Sequence, residues 1–163
     1  MGTMDAADVR LVFTADDTTV AADLLDTFNR EFDTPTPGPD TIATRLAALL
    51  GDQTTLALVV TPPGSAEIVG IALVTLRTNV WYQGWVGLLD ELYVVPERRN
   101  QGLGTALLRA AEAELVARGG EVLEIGVDGE DVDAQRFYQR HGYIDHDVWS
   151  DQPSKMYYRE FRS

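Results

Sequence analysis

The segment that most constrains the fold is residues 97–106, where two arginines and a glycine turn separate an apolar run from a helix-forming run. Residues 88–95 are rich in Leu, Val and Tyr and are followed by Pro96, which is typical of a strand. After the turn, apolar side chains recur at helical spacing as far as Gly119 and Gly120, which predicts a helix that ends there. The chain is therefore expected to pass from a strand through a glycine turn into a helix.

This junction suits the binding of a phosphate group. The first N–H groups of a helix have no partner inside the helix and lie at the positive end of its dipole, and glycine lets an anion approach the backbone closely. The pattern is Arg-x-x-Gly-x-Gly, formed by Arg99, Gly102 and Gly104. It is not a P-loop, because no Gly-Lys pair occurs, and it lacks the third glycine of the dinucleotide-binding pattern. An ordinary glycine turn beside solvated arginines is the alternative.

Length and composition predict one domain spanning residues 1–163, with residues 1–4 expected to be an added leader or a disordered start. The absence of cysteine excludes disulfides and a cysteine acyl intermediate, and His141 and His146 match no metal-ligand spacing, so no metal is expected. No signal peptide or membrane span is predicted, which favours a cytoplasmic protein without a membrane partner. The net charge of −13 argues against nucleic acid as a partner and mildly favours cationic ligands.

The order of predicted elements indicates an α+β fold with one mixed sheet rather than a doubly wound fold. A first strand at residues 9–13 precedes a helix that Asp16 or Asp17 caps and that ends near Phe32. The turn at residues 62–64 favours an antiparallel hairpin. The remaining predicted elements are a helix at 41–50, strands at 54–60, 68–78, 88–95 and 122–127, the helix after Gly102, a helix at 133–140 and a closing strand at 156–161.

A second motif occupies residues 131–143, with Asp131, Ala134, Phe137, Tyr138 and Gly142 at its marked positions. Together the two motifs resemble those of the GCN5-related N-acetyltransferases, whose second motif is Asn-x-x-Ala-x-x-Phe-Tyr-x-x-x-Gly-Phe/Tyr. The order of elements is similar over nearly the whole chain. The resemblance implies a single-domain GNAT-like fold, a mostly antiparallel mixed sheet flanked by helices, and acetyl-CoA as co-substrate.

The resemblance also assigns the contacts with acetyl-CoA. The backbone of residues 92–94 would pair with the pantetheine arm like an added strand, and an N–H group there would polarise the thioester carbonyl. The glycine turn would wrap the pyrophosphate. An ordinary paired strand and a bare helix start are the alternatives. The implied cofactor-binding residues are Leu92, Tyr93, Val94, Arg99, Asn100, Gln101, Gly102, Leu103, Gly104, Thr105 and Asp131, the last of which replaces the family's asparagine.

Three residues are candidates for proton transfer. By resemblance Tyr138 would protonate the departing thiolate, although a core tyrosine with a bonded hydroxyl is the alternative. A lysine-like amine has a reference pKa of ~10.4 and must lose a proton before it attacks, and Asp90 and Glu91 are the candidate bases. Successive strand side chains point to opposite faces, so without a bulge only one of them enters the cleft. The resemblance slightly favours Asp90, and the other acid would bind substrate or be solvated.

Two further groups bear on the acceptor. Glu31 and Asp33 lie where the family's substrate cleft opens and would attract a cation. Trp81, Tyr82 and Trp85 precede the central strand, where packing at the end of the hairpin is favoured over an acceptor pocket.

The leading hypothesis is direct transfer of acetyl from acetyl-CoA to a primary amine of a small molecule or peptide. The alternative from another class is a non-catalytic acyl-CoA-binding or interaction domain of the same fold. Transfer to a hydroxyl, transfer of a longer acyl group, and a homodimer formed through an exposed edge strand stay open.

Overall fold

A computed structural model describes residues 6–147 and 149–161. Residues 1–4, predicted to be a leader or a disordered start, lie outside this range. The chain divides into two compact units, Met1–Ile125 and Gly126–Ser163.

The first unit is built on a five-stranded sheet with the order β1-β2-β3-β4-β5. Neighbouring strands are antiparallel from β1 to β4, and β5 joins β4 in parallel. The strands are β1 (Asp8–Leu11), β2 (Thr55–Thr61), β3 (Gly70–Arg77), β4 (Val86–Val94) and β5 (Val122–Ile125). The helices are α1 (Ala15–Glu31), α2 (Pro39–Gly51) and α3 (Leu103–Ala117). These elements confirm the predicted α+β class, the mixed and mostly antiparallel sheet, and the antiparallel hairpin of β2 and β3.

Helices cover both faces of this sheet. On one face Ile71 of β3 and Tyr93 of β4 pack in a core cluster with Leu24 and Leu25 of α1. The other face packs against α3 so closely that a Cβ atom added to Gly87 would lie 3.0 Å from Leu115. Side chains at this part of β4 therefore enter one of two buried layers, which makes the direction of each β4 side chain important.

The start of α1 differs from the predicted cap. Thr14 has an extended backbone, and its hydroxyl oxygen accepts a hydrogen bond from the Asp17 N–H group at 3.1 Å. Asp16 and Asp17 instead lie in the first turn, where a negative charge favours the helix dipole. The predicted cap at Asp16 or Asp17 is therefore wrong by two or three residues. Arg10 binds the Asp17 carboxylate, which gives that side chain a different partner.

The second unit contains one helix among its described residues, α4 (Val132–Arg140). Gly142 has a φ of +89°, which fits the predicted end of this helix at a glycine. The predicted closing strand at residues 156–161 is wrong, because the structure assigns no strand there. A strand needs a neighbouring strand to bond its N–H and C=O groups, and the described residues of this unit contain no such partner.

Candidate active site

The candidate site begins where β4 and β5 cease to pair. Their parallel ladder ends at Leu89, opposite Ile125, whereas β4 continues to Val94 along β3. A strand can pair along both edges, so the part of β4 beyond Leu89 has an edge that no strand of the described residues occupies. Residues 92–94, which the family resemblance assigns to the pantetheine arm, lie in this part. The edge therefore has the geometry that an extended ligand needs in order to pair as an added strand.

A β-bulge lies at the same point of β4. Leu73 pairs with Glu91 and Val74 pairs with Leu89, so Asp90 is an extra residue with no partner opposite it. A bulge of this kind interrupts the alternation of side chains along the strand. Only in a regular strand must Asp90 and Glu91 point to opposite faces. Because β4 is bulged here, both side chains can lie on the same face.

The bulge brings both carboxylates to one face of the sheet. Glu91 shares the face of its partner Leu73, and Thr75 lies two residues further along β3 on that same face. The Thr75 hydroxyl donates a hydrogen bond to the Asp90 carboxylate, so Asp90 points in the same direction. This face is the one that carries Tyr93 and packs against α1.

Burial raises the pKa of both acids, and the charge of Asp90 adds to the shift at Glu91. Loss of hydration, followed by the charge of Asp90, raises the pKa of Glu91 to about 7. Loss of hydration also raises the pKa of Asp90, and the hydrogen bonds from Thr75 oppose that shift. A carboxylate with a pKa near neutrality can accept a proton in neutral solution and release it again. Glu91 meets this requirement, whereas the family resemblance slightly favoured Asp90.

Arg99, predicted to bind pyrophosphate, has partners within the first unit. Its Nε atom donates to the Val94 carbonyl oxygen at 2.9 Å, and its terminal nitrogen lies 2.7 Å from the Glu31 carboxylate. The guanidinium carbon is 5.5 Å from the centre of the Tyr93 ring. Arg99 thus fixes the chain after β4 to both β4 and α1. Glu31, expected to attract a cationic substrate, already binds this guanidinium.

Tyr93 completes the same network. Its side chain is 3% exposed, and its hydroxyl donates a hydrogen bond to Glu31 at 2.8 Å. The ring stacks on Phe28 of α1 with centres 4.8 Å apart. Burial, together with the bond to Glu31, raises the pKa of Tyr93 to about 12. The side chain of Tyr93 is therefore part of the core, and its predicted contact with acetyl-CoA would use the backbone.

The glycine turn has the backbone conformation that the motif predicts. Gly102 precedes α3 in the left-handed region with a φ of +79°, and Asn100 has a φ of 60°. Gly102 offers no side chain to cap the helix, and its carbonyl oxygen accepts the N–H of Ala106 at 3.0 Å. The backbone of residues 103–105 forms the first turn of α3, where the N–H groups point toward the start of the helix. Leu103 is 2% exposed, so it would meet a ligand through its backbone.

The predicted residues of the second unit lie on or beside α4. Tyr138 is half-buried, and its ring meets Phe137 and Tyr143 edge to face, with centres 5.2 and 5.9 Å away. The Asp131 carboxylate accepts a hydrogen bond from the Ala134 N–H group at 2.9 Å and so caps the helix. The roles of Tyr138 as an acid and of Asp131 as a cofactor contact stay predictions.

The loop before β4 carries Trp81 and Tyr82, which were expected from the sequence to pack at the end of the hairpin. The side chain of Trp81 is 85% exposed and that of Tyr82 is 44% exposed. The Asn79 side-chain oxygen accepts the N–H groups of Trp81 and Tyr82 at 2.7 and 3.1 Å. The prediction that Trp81 packs at the end of the hairpin is therefore wrong.

Residues 6–147 and 149–161 contain no cluster of three or more potential metal ligands. None of the helices described is long and apolar enough to cross a membrane.

The comparisons identify the class of protein. The chain matches the acetyltransferase (GNAT) family over residues 21–143, which is more than half of its length, and it belongs to this family. The chain is similar to a candidate acetyltransferase from Arthrobacter sp. FB24 whose crystal structure is known. The two sequences are 44% identical, the structures superpose with a TM-score of 0.83, and the match covers 94% of this chain and 96% of the other. The family predicted from the two motifs, and the fold it implied, are confirmed.

Two curated relatives have named activities. The chain is 35% identical over 79 residues to aminoalkylphosphonate N-acetyltransferase of Salmonella typhimurium. It is 36% identical over 80 residues to aminoglycoside N(6')-acetyltransferase type 1 of Klebsiella aerogenes. Each match covers 48% of this chain and 51% of the relative, so the chain spans about half the length of the curated relatives it matches.

Sequence reasoning missed Thr75. The available signal was a hydroxyl within the otherwise apolar run of β3, on the face that the neighbouring acids occupy. The sequence alone did not show that Thr75 contacts Asp90, because their contact depends on the register of β3 against β4.

Proposed function

We propose that this protein transfers the acetyl group of acetyl-CoA to a primary amine of a small molecule or peptide. Membership of the GNAT family supports the reaction, and the names of both curated relatives specify N-acetylation of small amine-bearing compounds. The observation that carries the proposal is the Asp90–Glu91 pair on one face of β4, at the point where β5 has ceased to pair. Two carboxylates beside an open strand edge support a site in which an ammonium group loses its proton next to a bound thioester.

The residues present fit acetyl-CoA. The left-handed turn at Gly102 and the first turn of α3 suit the pyrophosphate, because glycine lets an anion approach the backbone closely and the positive end of the helix dipole favours a doubly charged anion. The open edge at residues 92–94 suits the amide-bearing arm. Bound there, acetyl-CoA supplies a thioester carbonyl for the amine to attack.

The acceptor must first be deprotonated. With a reference pKa of ~10.4, only about 0.04% of a lysine-like amine is neutral at pH 7. We assign this step to Glu91, which takes the proton from the substrate ammonium on its carboxylate. The amine nitrogen then forms a bond to the carbonyl carbon and loses its second proton, the carbon–sulfur bond breaks, and the sulfur takes up a proton. Tyr138 is the proposed donor of that proton, on the strength of the family resemblance.

The overall reaction converts an ammonium and a thioester into an amide, a thiol and one free proton. The purified chain should therefore release CoA thiol from acetyl-CoA when a suitable amine is present. The panel should contain an aminoglycoside, an aminoalkylphosphonate, an aliphatic diamine and a peptide with a free N-terminus. Mass spectrometry of the acceptor should show one added acetyl group, which distinguishes transfer from hydrolysis.

Replacement of Tyr138 tests the proposed acid. We expect Tyr138→Phe to lower kcat by about 100-fold or more while CoA affinity is retained. Tyr157→Phe is the matched control, since that tyrosine is 90% exposed. An unchanged rate in Tyr138→Phe would remove the acid role. Tight CoA binding by calorimetry without thiol release across the panel would instead favour the non-catalytic acyl-CoA-binding domain.

A further inference from the structure

We propose that Thr75 is a positioning residue for deprotonation of the acceptor, because its hydroxyl holds Asp90 as the ionised member of the Asp90–Glu91 pair. Glu91 is then left as the member that takes the substrate proton. This inference rests on the proposed function and adds to it a residue that does not itself touch substrate.

The geometry of the bulge makes this assignment specific. Asp90 has no partner residue opposite it on β3, so its side chain can reach sideways to Thr75. A hydroxyl that donates to a carboxylate stabilises the charged form of that carboxylate. The described contacts give Glu91 no equivalent donor, and loss of hydration dominates there. The two acids therefore differ in environment although they are adjacent in the chain.

The surrounding charges do not reverse this difference. On the same face, Arg77 of β3 pairs with Glu124 of β5 at 2.7 Å. Glu31 of α1 pairs with Arg99 at 2.7 Å. The other helix against β4, α3, covers the opposite face of the sheet. Each nearby cation thus faces a carboxylate of its own, and Asp90 is the charge that acts on Glu91.

Two adjacent carboxylates that share a site release their protons in two steps. If both acids had the same environment, the remaining proton would divide between them, and the acceptor would meet a base that is partly occupied. The hydrogen bond from Thr75 favours one arrangement, with the charge on Asp90 and the proton-accepting position at Glu91. Thr75 therefore transfers no proton itself, but its hydrogen bond determines which of the two carboxylates accepts the substrate proton.

Carboxyl titration by NMR of protein with ¹³C-labelled Asp and Glu tests the assignment directly. In the unmodified protein we expect Asp90 to ionise at lower pH than Glu91. Thr75→Val keeps the shape of the side chain but removes the donor, and should raise the apparent pKa of Asp90 by roughly one unit. Thr75→Ser retains the hydroxyl and should restore the original value. Thr55→Val is the matched control, because Thr55 lies directly opposite Thr75 on β2.

The kinetic readout separates positioning from general damage. Thr75→Val should lower kcat by about tenfold with CoA affinity unchanged, and Thr75→Ser should recover most of the rate. An Asp90 titration that is the same in Thr75→Val and in the unmodified protein would overturn the proposal. If Thr75→Val does not fold, the titration of the unmodified protein still tests the proposal. Ionisation of Glu91 at lower pH than Asp90 would overturn the proposal.

The two proposals fail in different ways. The titration needs no acceptor, so a shifted Asp90 would support the role of Thr75 in the pair even if the amine panel gave no turnover. Turnover with an unshifted Asp90 would refute the role of Thr75 and leave acetyl transfer intact.

Discussion

Replacing Glu91 with Gln should stabilise the protein in neutral and alkaline solution and have little effect near pH ~4. In the folded chain the pKa of Glu91 is about 7, against an ordinary value of 4.5. Between these values the folded chain holds a proton that the unfolded chain has lost. Rising pH therefore destabilises the folded protein through this window, and above it the penalty is constant. Gln resembles the protonated acid and escapes the penalty.

The size of the effect follows from the shift. One pKa unit corresponds to about 1.4 kcal/mol, so the gap between about 7 and 4.5 sets an upper limit of about 3.5 kcal/mol. Glu91 is half-buried, and screening by water at its exposed side reduces the expected gain to roughly 1–3 kcal/mol. This is a large fraction of the stability of a typical domain, so it should be readily measurable.

Urea unfolding of both proteins at a series of pH values from about 4 to 8.5 provides the assay. We expect the difference in unfolding free energy between Glu91→Gln and the unmodified protein to grow with pH and to level off above the folded pKa. Glu67→Gln is the control for loss of one negative charge, since the Glu67 side chain is exposed. A difference that is independent of pH, or the same in both variants, would refute the argument that the bulge buries this carboxyl.

Two other perturbations test the cofactor turn and its support. Gly102→Val should lower the free energy of unfolding by about 1–2 kcal/mol and weaken CoA binding, because a β-branched residue adopts a φ of +79° poorly. Gly102→Asn should lower the free energy of unfolding by less than Gly102→Val does, as measured by urea unfolding. Equal decreases in the two variants would contradict the argument that the positive φ causes the loss. Glu31→Gln should lower the pKa of Tyr93 from about 12, because it removes the charge that opposes the phenolate. Ultraviolet titration should show this shift, and an unchanged midpoint would mean that burial alone sets it. Loss of the ion pair with Arg99 should cost at most about 1 kcal/mol.

Local patterns were sufficient to predict much of the fold. The strand that ends before Pro96, the glycine turn and the helix that ends at the next glycine pair depend on neighbouring residues, and the structure has all three. The hairpin of β2 and β3 follows from its turn residues in the same way. The parallel pairing of β5 with β4 is not local, and the resemblance to the family implied only a mixed sheet without identifying the parallel pair.

Features that depend on contacts between distant residues were not predictable. The bond between Glu31 and Arg99 joins residues 68 positions apart, so neither its existence nor its effect on the predicted cation site is visible in the sequence. The start of α1 was misplaced for a different reason. Thr14, Asp16 and Asp17 are all acceptable N-cap residues, and the local backbone conformation decides between them.

The bulge at Asp90 connects the two halves of the candidate site. In a regular β4, one of two successive acids would point into the layer beneath α3, where Leu115 lies against Gly87, and a buried unpaired carboxylate there would cost several kcal/mol. One extra residue avoids that cost by turning both acids to the other face. Bulges also bend a strand and increase its twist. The β4–β5 ladder ends at Leu89, the residue before the bulge. The same extra residue therefore accounts for the two carboxylates on one face and for the strand edge that opens beside them.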